Sequence, residues 1–120
     1  MLELMPQSTE AAVAVQARGK LTDTDYQQVL IPRLREMIAK QGKARFMLVM
    51  GPEFRGWEAR GAWDDAAFGF KHRKDFAKLA LVGAPKWVKW SMDVSQHFMS
   101  GEVKNFPPEQ EDQAWEWVTG

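Results

Sequence analysis

Cysteine is absent from this chain, which removes both a disulfide framework and a thiolate metal site. Long apolar runs are missing too. None outlasts Phe-Met-Leu-Val-Met at 46–50, far short of the roughly 20 residues that span a bilayer. The first ten residues, MLELMPQSTE, hold no basic residue and no signal-type apolar stretch, so a cytoplasmic address is expected. Charge of one sign is not in excess: 16 basic and 16 acidic residues cancel. With a single tyrosine and no overall basicity, nucleic acid is not an expected partner. No His-x₃-His pair or carboxylate cluster has metal-ligand spacing, and no metal or cofactor is expected. The serines, at 8, 91, 95 and 100, lie in no nucleophile elbow. Asp64 and Asp65 are adjacent, so on a helix they point about 100° apart and suit capping better than a shared-proton dyad. His72, between Phe68 and Phe76, reads as a core histidine. No catalytic residue is assigned, and the expected function is non-enzymatic.

Turn and cap chemistry divide the chain into alternating elements. Residues 2–5 and 12–17 read as two short strands, with Gly19 and Lys20 closing the pair. Thr22 with Asp25 forms a capping-box pattern, and Leu21 with Tyr26 the flanking hydrophobic staple. Tyr26, Leu30, Leu34, Met37 and Ile38 then repeat at helical spacing. Pro32 is expected to kink this helix, and Gly42 to end it. Residues 44–50 and 78–82 are continuously apolar apart from Arg45 and Lys78, as in strands covered on both faces. A helix over 64–74 or 76 would join them as a parallel βαβ unit. Gly51, Gly56 and Gly61 read as a loop after the central strand, flanked by Trp57 and Trp63. They lack the Lys-Ser or Lys-Thr pair of a phosphate cradle. Residues 102–106 suggest an edge strand, and Pro107-Pro108 the start of a last helix with Ala114, Trp117 and Val118 inward. The expected architecture is one α/β domain over residues 1–120. Its mixed, largely parallel central sheet has about five strands, flanked by about four helices.

The segment 85–100, PKWVKWSMDVSQHFMS, carries more apolar surface than a small domain's helix requires. At about 100° per residue, Trp87, Trp90, Val94 and Phe98 share one arc, and Val88, Met92 and Met99 a second beside it. The combined apolar sector is about 200° wide, against roughly 100° for an ordinary amphipathic helix. His97 sits at its rim. From Lys71 to Lys89 six basic residues face the single acid Asp75, so a basic flank runs into the apolar segment. That is the composition of a peripheral membrane contact.

Read together, several motifs carry a family resemblance: Gly19-Lys20-Leu21-Thr22, Asp25-Tyr26, Pro32, the strand ending at Met50, and Phe54-x-Gly56-Trp57. Phe68-Gly69, His72, Leu79-Ala80-Leu81-Val82-Gly83 with Trp87, Phe106, and Ala114-Trp115-x-Trp117-Val118 complete it. In this order and spacing the chain resembles the SpoIIAA-like family of the STAS superfamily, over nearly its whole length. The resemblance implies a compact α/β domain, similar also to lipid-carrying CRAL-TRIO domains. It implies binding of apolar ligands or membrane surfaces, with a mobile helix over the cavity. Anti-sigma-factor antagonists carry a phosphorylatable serine at the helix after the central strand. Here that stretch, Trp63-Asp64-Asp65-Ala66-Ala67-Phe68-Gly69, has no hydroxyl, so a serine phosphoswitch does not transfer.

The expected function is therefore binding of an apolar small molecule or lipid under the helix 85–100. Trp57, Trp87, Trp90, Met92, Val94, Phe98 and Met99 form the expected ligand-binding set. Lys86 and Lys89 are the expected contacts to an anionic membrane surface at the inner face, joined by Lys74 and Lys78 where they share a face. The alternative is a protein-interaction module, a homodimer through the same apolar helix.

Overall fold

Five strands pair side by side in chain order: β1 (Leu2–Leu4), β2 (Val13–Leu21), β3 (Ala44–Trp57), β4 (Phe76–Val82) and β5 (Glu102–Phe106). This is a computed structural model, and it describes residues 1–60, 67, 71, 74–86 and 101–120. β1 runs antiparallel to β2, and every later neighbour is parallel. The sheet is thus mixed and largely parallel. The described helical elements are a single turn α1 (Asp23–Asp25), a π-turn Tyr26–Leu30, α2 (Ile31–Gln41), a 3₁₀ turn Pro108–Gln110 and α3 (Glu111–Thr119). The expected helix over 64–74 and most of the expected helix 85–100 lie outside the described residues. Within those spans Ala67, Lys71 and Lys86 are helical, and Phe76 belongs to β4.

Alternation along the strands sorts the core into two layers. On one face Val13, Val15, Ala17, Phe46, Leu48, Met50, Leu79 and Leu81 are buried with Leu30, Leu34 and Met37 of the helix above them. On the other, Ala14, Met47, Val49, Ala80, Val82 and Phe106 meet Ala114 and Val118 of α3. Three cationic contacts fasten α3 by its last carbonyls. Arg45 donates to the carbonyls of Val118 at 2.8 Å and Gly120 at 2.9 Å, and Lys78 to that of Trp117 at 2.9 Å. Cations at a helix C-terminus oppose its dipole and satisfy carbonyls that lack intrahelical partners.

Two local expectations need correcting. Gly19 and Lys20 do not close a hairpin: β2 runs on to Leu21, with the register shifting around Gly19. Gly51 and Gly56 do not belong to a loop, since β3 continues through both to Trp57, where it pairs with Leu21. A neighbouring strand with unpaired groups outweighs the local turn preference of glycine and proline. Pro32 acts through a π-turn just before it, in which the Ile31 N–H bonds the Tyr26 carbonyl five residues back. A proline ring clashes with the carbonyl four residues earlier, and the wider turn makes room for it.

Candidate functional site

The carboxyl ends of β2 to β5 lie along one border of the sheet, where open α/β sheets usually take ligands. At the β2–β3 corner, Thr22 and Asp25 start the helical segment as a capping box. The Asp25 N–H donates to Thr22 Oγ1 at 3.2 Å, and the Thr22 N–H to Asp25 Oδ2 at 2.8 Å. The Met1 ammonium stands 3.3 Å from the same carboxylate. Burial raises the Asp25 pKa, but the Thr22 hydrogen bonds and the Met1 ammonium more than offset this and hold it below the usual carboxylate range.

That helix start places Tyr26 beneath the end of β3. Trp57 is half-buried there, and its indole N–H donates to the Tyr26 hydroxyl at 2.5 Å. Phe54 meets the Trp57 ring edge-on, with centroids 5.2 Å apart. Two aromatic side chains and one phenol thus brace the extension of β3 against the π-turn.

Across the sheet, Asn105 shares its face with Val103, by the two-residue alternation of β5. Val103 packs against the apolar layer beneath α2. The Asn105 Oδ1 atom is buried with no hydrogen-bond partner. Its neighbours in register, Leu81, Leu48 and Val15, are all apolar and buried. The sequence signal for Asn105 is an amide where the alternation from Val103 calls for an apolar residue. For Tyr26 and Trp57 there was no such signal of their contact, because the hydrogen bond joins residues 31 apart.

Of the sequence-derived binding set, Trp57 stands at the border as described, on a strand rather than beside a loop. Trp87, Trp90, Met92, Val94, Phe98 and Met99 lie outside the described residues, as do Lys89, Trp63, Asp64, Asp65, His72 and His97. Lys86 is exposed, at the carboxyl-end border just past β4. Lys78 does not join it: its ammonium is turned to α3, 5.3 Å from the Trp117 ring centre as well as bonded to the Trp117 carbonyl. Among the described residues, no group of three or more His, Asp or Glu side chains is placed to hold a metal ion. No described helix is long and apolar enough to cross a membrane.

Comparison with known proteins agrees with this architecture. A family model described as SpoIIAA-like matches residues 12–119. A crystal structure of an uncharacterised protein from Shewanella loihica PV-4, of the DUF3478 family and with a SpoIIAA-like fold, is similar over 98% of this chain and 93% of its own. The two share 30% sequence identity and superpose with a TM-score of 0.71. No curated protein matches.

Proposed function

This chain belongs to the SpoIIAA-like family, and from that premise we propose that it is a non-enzymatic binding domain for an apolar small molecule or lipid. The ligand lies against the α2 face of the sheet toward β4 and β5. One observation carries this reading. The apolar face does not stop where α2 rests on β3, but continues through Leu79 and Leu81 of β4 to Val103 and the unpaired oxygen of Asn105 on β5.

Two general arguments support it. Parallel strands laid down in sequence order are joined by right-handed crossovers, which fall on a single face. α2, the crossover from β2 to β3, marks that face. By the same rule we propose that the connection from β4 to β5, which holds the apolar-rich sequence 85–100, crosses over Leu79, Leu81 and Val103. Trp87, Trp90, Met92, Val94, Phe98 and Met99 are then proposed to face the ligand, with Trp57 closing the β3 end. Lys86, exposed at this border, and Lys89 are proposed to meet anionic headgroups during exchange, each adding about 1 kcal/mol at such a surface.

Adding oleyl alcohol, or vesicles containing phosphatidylglycerol, should shift tryptophan emission to the blue, and native mass spectrometry should show a bound lipid. An unshifted spectrum together with a bare protein mass refutes the reading. A dimer mass without ligand would instead assign the apolar segment to a second copy of the chain.

A further inference from the structure

We propose that Asn105 is the polar anchor of this site, accepting a hydrogen bond from the hydroxyl head of a ligand whose body is aliphatic. The inference rests on the binding reading above and narrows its ligand class, from any apolar body to a neutral alcohol. The row Val15, Leu48, Leu81, Asn105 crosses four paired strands at one level. Its first three members are buried apolar side chains. The fourth ends the row at the open edge of the sheet with an amide oxygen that is buried and unpartnered. It is the only such side-chain atom among the described residues. Native proteins seldom leave a buried polar atom unpaired unless water, an ion or a ligand completes it. Elsewhere in this sheet Gln16 is completed within the chain, donating to the Val49 carbonyl at 3.3 Å.

The character of the face selects the head group. Among the described residues, the buried members of this layer are apolar side chains, and no buried cation stands with them. A carboxylate placed there would lose its hydration with nothing to balance its charge. A hydroxyl carries no charge and supplies the donor that the amide oxygen lacks.

Decanol and decyl methyl ether have the same aliphatic body, and only the alcohol can donate. Titrating both against the full chain by tryptophan emission should show the alcohol binding about tenfold tighter. In Asn105→Leu the preference should vanish while the ether binds as before. The side-chain amide resonances of Asn105 in the unaltered protein should move with the alcohol and not with the ether, which serves if the variant fails to fold. Equal affinity for the two ligands, or unmoved amide resonances, overturns the anchor and leaves the binding reading standing. Binding of neither ligand removes both.

Discussion

Replacing Gly83 with alanine places a Cβ where the fold has no room for one. Gly83 follows β4 directly, at φ +70°, and its N–H donates to the Phe106 carbonyl at 2.9 Å. A Cβ built there would come within 3.0 Å of the Met50 carbonyl oxygen, and 3.4 Å from Pro108 Cγ. Met50 is a fully packed residue of the central strand, 1% exposed, so its backbone cannot step aside alone. Two costs follow. The left-handed conformation costs an L-residue about 1–2 kcal/mol, and forcing packed backbones apart about 1–3 kcal/mol more. Gly42 supplies the control, because it takes φ +80° with nothing within 4 Å of its Cβ position. Gly42→Ala should therefore carry only the conformational cost of about 1–2 kcal/mol. Urea unfolding followed by tryptophan emission and far-UV circular dichroism would compare the two at equal m-value. Gly83→Ala is expected to be the less stable by about 1–3 kcal/mol, a large part of the roughly 5–15 kcal/mol that holds a domain folded. Equal midpoints would show that the approach to Met50 carries no energy, and would refute the reasoning.

Trp57→Phe and Tyr26→Phe each keep a ring and lose the same hydrogen bond, so each should cost about 0.5–1.5 kcal/mol, and the double variant little more than either alone; fully additive losses would count against the bond. Arg45→Met frees the Val118 and Gly120 carbonyls and should cost about 1–2 kcal/mol, with hydrogen exchange rising first in α3. Asp25 has a folded pKa below its unfolded value, so its contribution is complete above about pH 4 and disappears as pH falls through the folded value. Asp25→Asn should flatten that acid limb of the stability profile, and an unchanged limb would locate the effect elsewhere.

What the sequence disclosed and what it concealed divide along a physical line. The Thr22–Asp25 capping box, the left-handed stop at Gly42, the strand over 102–106 and the Pro107-Pro108 start of the last helical segment were all legible. Each is decided within a few residues, by a side chain reaching the adjacent backbone or by a ring that fixes its own φ. The errors arose where a distant partner decides. Gly51-Pro52 carries a strong turn preference, yet β2 runs alongside and the extended chain from Phe54 to Trp57 recovers its hydrogen bonds on Gly19, Lys20 and Leu21. Arg45 and Lys78 looked like lapses in two buried strands; their heads fasten the carbonyls of α3 more than thirty residues away. The border of the sheet follows the same logic. Trp57 was legible as an aromatic near the end of the central strand, but not as one fixed by Tyr26, since that pairing exists only after the π-turn has set the phenol beneath it. Asn105 is the reverse case, a lapse in the apolar alternation that no residue of the described chain completes. Polar breaks in an apolar pattern are thus of two kinds. Arg45 and Lys78 are answered from within the fold, whereas no described residue answers the one at Asn105.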